Sequence, residues 1–210
     1  MQVIGLTGGI ASGKSTVAKM LEEKGAYLLD ADRLAREVVE PDQPAWQEIV
    51  NWLGQSILLP DRSIDRSKLA ELVFSNRPML ERLNSIVHPR VGFRLVALSK
   101  IIREKDPDAV LIYDIPLLIE ADMQSLVDLV LLVYVPRKTQ IARLQQRDSL
   151  SRVDAEIRLK NQMDIEDKKE YADAVIDNSG TLAETSDQVD QFWDKFKQGG
   201  FYTHGDVDQR

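Results

Sequence analysis

Residues Gly8-Gly9-Ile10-Ala11-Ser12-Gly13-Lys14-Ser15 read G-x-x-x-x-G-K-[ST], a loop that wraps its backbone around an anion. Its setting constrains the fold further. The apolar run Val3-Ile4-Gly5-Leu6 precedes it and suits a buried strand, and Val17, Met20 and Leu21 follow it at helical spacing. Strand, glycine-rich loop and helix, in that order, is the context the motif requires. Glycines let the backbone close around the anion with no side chain in the way. Successive N–H groups then point inward at the positive end of the following helix. Lys14 is placed to bridge the outer phosphates, and is expected to be solvated when they are absent. Ser15 is placed to offer its hydroxyl to Mg²⁺.

Short apolar, β-branched runs recur at 2–7, 26–29, 109–113, 129–135 and 174–176. Strands apolar on both faces and separated by helices predict a parallel sheet covered on both sides. Five of them in 210 residues predict a doubly wound α/β nucleotide-binding core. Two inserts interrupt it. The first, 32–105, carries helical patterns at 33–39, 44–53, 65–74 and 76–103, punctuated by Pro41, Pro44 and Pro60. The second, 136–170, is dense in charge. Its first part, 136–160, holds seven basic residues against three acidic ones, in a chain of net charge −7. A basic segment beside a phosphate loop predicts a lid closing over phosphates. A solvated helix pair laced with i,i+4 ion pairs has the same composition. The division read from this pattern is a core of 1–31, 106–135 and 171–198, an insert of 32–105, a lid of 136–170 and a loose tail of 199–210.

Several function classes drop out. An acidic chain with no general basic surface argues against nucleic acid as the main partner. The absence of cysteine excludes disulfides, thiol catalysis and cysteine-ligated metals, and fits a reducing cytoplasm. No apolar run reaches the roughly 18–20 residues of a membrane span, so no membrane partner is expected. Met1 leads directly into the first strand, so no signal peptide is expected either.

Ligands gather at the carboxyl ends of parallel strands, where Asp30 and Asp32 follow the second predicted strand. A carboxylate there can take a proton from an attacking hydroxyl. Asp30 is read as the cap of the next helix and Asp32 as the catalytic acid. Asp114 ends the third strand. It suits Mg²⁺ held through water, and suits a turn or helix cap equally well. Pro116-Leu117-Leu118-Ile119-Glu120 is too apolar for an exposed loop and suits a pocket wall or a piece of core. His88-Pro89 lies in a long helical stretch, where the proline is expected to start or kink a helix. Arg143 and Arg147, at i,i+4, share a helix face, and one of them suits a charge on the transferring phosphoryl group. Asn178-Ser179-Gly180 closes the fifth strand, beside a base or merely in a turn.

These pieces together resemble the dephospho-coenzyme A kinase family. They are the loop from Leu6 to Thr16, Asp30-Ala31-Asp32 with Ala35-Arg36, and Val38-Val39. His88-Pro89, Pro116-Leu117-Leu118 with Glu120, Gln146-Arg147-Asp148, and Ala172 to Asn178 with Gly180 complete the set. The resemblance spans about 1–198. It implies a P-loop kinase fold, with ATP and Mg²⁺ on one side and dephospho-CoA as phosphoryl acceptor at its ribose 3′-hydroxyl. It implies that Asp32 is the base, that Gly8, Gly9, Ile10, Ala11, Ser12, Gly13, Lys14, Ser15, Thr16 and Asn178 hold the nucleotide, and that Arg147 is the lid arginine. Thr7, Asp32, His88, Pro116, Leu117, Leu118 and Glu120 would border the acceptor. Many family members have glycine where Ala11 stands. The implied protein is a cytoplasmic biosynthetic enzyme, monomeric or a small homo-oligomer.

Two other readings compete. One is a P-loop kinase of the same architecture acting on a nucleoside monophosphate or another small hydroxylated metabolite; for a nucleoside monophosphate it would need arginines in the first insert, which contains nine. The length of that insert and the apolar 116–120 segment favour a larger, partly apolar acceptor. A GTPase-like switch would carry an N-K-x-D signature, and the chain has none.

Overall fold

The computed structural model describes residues 2–74 and 76–201. Five strands form one parallel sheet in the order β2-β3-β1-β4-β5: β1 (Gln2–Gly8), β2 (Tyr27–Asp30), β3 (Val110–Asp114), β4 (Leu129–Tyr134) and β5 (Ala174–Asp177). Each begins and ends within about two residues of its expected position. β1 is flanked by β3 and β4, pairing Ile4 with Ile112 on one side and Leu6 with Leu131 on the other. It is therefore central, and the strand order turns about it. In open α/β sheets the crevice at such a switch point receives the ligand, and the phosphate loop follows β1 there.

The same device starts two strands. The carboxylates of Asp128 and Asp173, just ahead of β4 and β5, accept from Val3 N and Val130 N at 2.7 Å. Each aspartate's own N–H donates back to the carbonyl of the same residue. Strand-end backbone groups that would otherwise lack a ladder partner are thereby satisfied.

Helix α1 (Lys14–Glu23) and helix α9 (Leu182–Lys197) pack one face of the sheet. Val17, Ala18 and Leu21 of α1 meet Val189, Phe192, Trp193 and Phe196 of α9 over Ile4, Leu6, Ile112, Leu129, Leu131 and Val133. Thr181 and Glu184 form a reciprocal capping box that starts α9. Helices α6 (Arg137–Asp148), α7 (Arg152–Leu159) and α8 (Ile165–Lys168) lie between β4 and β5 in the chain.

The chain divides into two compact units, residues 1–29 with 105–210, and residues 30–104. The segment 136–170 thus falls in the first unit with the sheet. The second unit holds α2 (Ala31–Glu37), α3 (Pro44–Leu53), α4 (Arg66–Phe74) and nearly all of α5 (Arg77–Lys105). Its own core is Ala45, Trp46, Ile49 and Val50 of α3 with Ile57, Ile64 and Ile86. Pro89, expected to start or kink a helix, does not start one: it lies inside α5, which begins twelve residues earlier. The loose tail expected from 199 lies outside the described residues beyond Phe201.

Candidate active site

The loop 8–13 is held from outside by side chains from three other elements. Gln140 Nε2 donates to Ile10 O, and Ile10 N donates to Gln162 Oε1, both at 2.8 Å. Asn178 Nδ2 donates to Ser12 O at 2.7 Å, and Thr185 Oγ1 fixes the other end of that amide through Asn178 Oδ1 at 2.9 Å. Arg143 reaches Ser12 O at 3.3 Å through Nη1, and Asn178 O at 2.8 Å through Nη2. Ile10 and Ala11 also pack on an apolar cluster of Leu144, Ala155 and Leu159 from α6 and α7. Loop carbonyls are thus turned outward onto donors. The loop ends in Gly13, the N-cap of α1, and no side chain caps that helix. Thr16 N–H turns back to Gly13 O at 3.0 Å, and the N–H groups of Lys14 and Ser15 ahead of it face the loop's interior end, the kind of terminus that takes an anion.

Lys14 was expected to be solvated and is not. Its ammonium is paired with the carboxylate of Asp114 at the end of β3, the two side chains being 18% and 11% exposed. Strands β1 and β3 are neighbours, which brings the end of one beside the loop that follows the other. Ser15, by contrast, is exposed in the first turn of α1, and Thr16 is half-buried. No cluster of three or more His, Cys, Asp or Glu stands ready for a metal among the described residues. A Mg²⁺ that keeps waters and takes most of its oxygens from substrate phosphates needs no such cage. One hydroxyl at Ser15 and one carboxylate at Asp114 fit that donor set.

The segment after β3 is not a simple pocket wall. Leu118 is completely buried and Leu117 is 43% exposed. Leu118 belongs to the core, against Gly5: a Cβ on that glycine would come within 2.7 Å of it. Thr7 is also completely buried, and its hydroxyl donates to Pro116 O at 3.0 Å. Glu120 is held by Lys168, at 2.8 Å to Oε1, and by Met163 N at 3.2 Å. Thr7 and Leu118 therefore shape this segment from beneath, while Leu117 and Glu120 are its exposed residues, the Glu120 carboxylate turned onto Lys168.

In the second unit, Asp30 caps α2, its Oδ1 accepting from Arg33 N at 3.0 Å. Asp32 is exposed in the first turn of the same helix. His88 is half-buried within α5, and burial pushes its imidazole below the usual value, so it is neutral at pH 7. Arg147 ends α6, bound to Asp148 at 2.8 and 3.0 Å, and Asp148 also takes Arg158 at 2.6 Å. The hydrogen bond from Arg147 and the charge of both arginines hold the Asp148 carboxyl below its ordinary range. Arg143, not Arg147, is the arginine that touches the phosphate loop here. Arg143 was paired with Arg147 as a candidate phosphoryl charge, and the structure sets it against the phosphate loop instead. Gln140, Gln162 and Thr185 had no role in the sequence expectations, although Gln140 falls at i, with Arg143 and Arg147 at i+3 and i+7, on one helix face.

A family model described as dephospho-CoA kinase matches residues 2–184. A dephospho-CoA kinase of Geobacter metallireducens is 50% identical over 193 residues, covering 92% of this chain and 96% of the relative. One from Syntrophus aciditrophicus is 48% identical, covering 90% and 81%. The solved dephospho-CoA kinase of Campylobacter jejuni superposes with a TM-score of 0.71 at 26% identity, covering 95% of this chain and 98% of that one. A shikimate kinase of Acinetobacter baumannii shares the fold at a TM-score of 0.53 and 17% identity. With the loop, its lysine and the surrounding helices all in place, the chain belongs to the dephospho-CoA kinase family.

Proposed function

We propose that this protein transfers the γ-phosphoryl group of ATP to the ribose 3′-hydroxyl of dephospho-CoA, completing coenzyme A. The family match across 2–184 carries the reading, and the anion-ready loop supports it. On this reading the loop N–H groups and Lys14 bind the phosphates. Lys14 exchanges Asp114 for phosphate oxygens when ATP arrives, and Asp114 is then available to a metal-bound water. Mg²⁺, held by Ser15 and by Asp114 through water, would neutralise charge on the outer phosphates. Asp32, two residues past the end of β2, takes the proton from the 3′-hydroxyl as the new O–P bond forms. Arg147 leaves Asp148 to meet charge on the transferring group. Asn178 and Arg143 keep the loop in shape. His88, neutral, donates to or accepts from the acceptor, and the 116–120 segment borders it through Leu117. Two small molecules are its partners, and the cytoplasm is its place.

The test is an acceptor panel. Purified protein with ATP and Mg²⁺ is offered dephospho-CoA, nucleoside monophosphates and shikimate, and product masses are read. Phosphorylated dephospho-CoA at the highest kcat/KM is expected. Preferential phosphorylation of a nucleoside monophosphate overturns the reading.

A further inference from the structure

Lys168 is completely buried, and the mechanism above does not use it. A buried ammonium is costly unless it is paired and hydrogen-bonded, and here it is both. Its Nζ lies 2.8 Å from Glu120 Oε1, 3.1 Å from Glu120 Oε2 and 3.4 Å from Pro116 O. The Pro116 carbonyl also accepts from Thr7, the residue just ahead of the phosphate loop. One cation therefore grips both ends of the 116–120 segment. Nearby in the chain, Gln162 accepts from Ile10 N in the phosphate loop, and the next residue, Met163, donates its N–H to Glu120. Adjacent residues thus hold the loop and the segment that follows β3.

We propose that 162–168 is a strap between the phosphate loop and the 116–120 segment, and that Lys168 is its positioning residue. The ammonium does not touch substrate. It fixes Glu120 and the Pro116 carbonyl, so the acceptor-side wall has one conformation, in register with the loop that carries the donor. Misplacement of a wall by about 1 Å can cost a hundredfold in rate, which is the scale on which such a tether matters. The substrate half of the proposal rests on the reading that 116–120 borders dephospho-CoA. The tether itself does not.

Two arms separate these. Without substrate, hydrogen exchange is followed at Met163 and at 117–123 in wild type, Lys168→Met and Glu120→Gln. Methionine keeps the length and volume of the lysine stem, and glutamine keeps the shape of the glutamate. Exchange about tenfold faster at these amides, with the sheet unchanged, is expected in both variants. Wild-type exchange overturns the tether. With substrate, both variants should raise KM for dephospho-CoA about tenfold or more while KM for ATP moves less than about twofold, and Lys168→Arg should recover part of the loss. An unchanged acceptor KM in correctly folded variants overturns the positioning role. If Lys168→Met does not fold, Glu120→Gln carries both arms. If the wild-type protein leaves dephospho-CoA untouched, the proposed function fails while the exchange arm still decides the tether.

Discussion

Ala11 sits at φ +60°, a region that costs an L-residue about 1–2 kcal/mol. Glycine would relieve that cost, yet the partly buried methyl packs on the cluster of Leu144, Ala155 and Leu159, and losing it costs up to about 0.8 kcal/mol. The freer unfolded chain adds about 0.4–1 kcal/mol against glycine. The two sides largely offset, which is the physical reason alanine is tolerated at this left-handed position. Ala11→Gly should therefore change stability by less than about 1 kcal/mol in a denaturant titration. Two residues on, the balance is different. Gly13 sits at φ +85°, and a Cβ there would run into the Asn178 amide that holds Ser12 O. Gly13→Ala should cost about 2 kcal/mol or more and weaken ATP binding with it. Equal midpoints for the two variants would refute this account of the loop. Lys14 adds a further contrast. Because it is paired with the largely buried Asp114, Lys14→Ala should lower Tm as well as abolish turnover. Adding Asp114→Asn should restore part of the Tm and none of the activity, since the transition-state cation is still missing. A Lys14→Ala protein with wild-type Tm would mean the pair contributes nothing to the fold.

At the scale of elements, the strands and most helices were legible because their signals are local. Runs such as Leu129 to Tyr134 are apolar on both faces, and Pro44 marks the start of α3 in the sequence as in the structure. The interior place of Pro89 was legible from the helical pattern on both sides of it, whereas the burial of Ile86 and Val91 that carries α5 across the proline was not. Contacts between distant elements were equally hidden. Nothing in local spacing joins Gln162 to Ile10, or Lys168 to Glu120, since these pairs form only when the chain between β4 and β5 folds back on the loop. Helix α2 is the element on which the catalytic reading turns. Asp30 caps it while Asp32 stands exposed one position into its first turn. Asn caps as well as Asp, so Asp30→Asn should leave kcat close to wild type, whereas Asp30→Ala should cost about 1 kcal/mol of stability. Asp32→Asn keeps the shape but cannot take a proton, and should lower kcat about 10²–10⁴-fold with little change in the KM for ATP. Steady-state kinetics on the two asparagine variants decide the matter. A larger loss at Asp30 would exchange the two roles.

For the whole molecule, the lid role expected of the basic segment 136–170 can be set against what holds that segment. Its base is anchored already. Gln140, Arg143 and Gln162 hold the phosphate loop, and Leu144, Ala155 and Leu159 pack on Ile10 and Ala11. The distal turn is looser. Ser149 ends α6 in a left-handed conformation, and Arg147 is 59% exposed, tied to Asp148. A lid closing over ATP and acceptor should therefore hinge between this base and its tip, carrying Arg147 off Asp148 and onto the phosphates while excluding water that would compete as acceptor. Hydrogen exchange with a non-hydrolysable ATP analogue and dephospho-CoA should slow at 145–154 and change little at 138–144 and 155–159. Equal protection in both states would argue against closure. On the role proposed for Arg147, its charge acts mainly in the transition state, so Arg147→Ala should lower kcat by more than it weakens ATP binding. Asp148→Asn, which loosens the resting hold on Arg147, should leave kcat near wild type or raise it. An Arg147→Ala protein that binds ATP more weakly yet keeps its kcat would make this arginine a ground-state contact. The phosphoryl charge would then fall to Lys14 and to Arg143, which already lies against the loop.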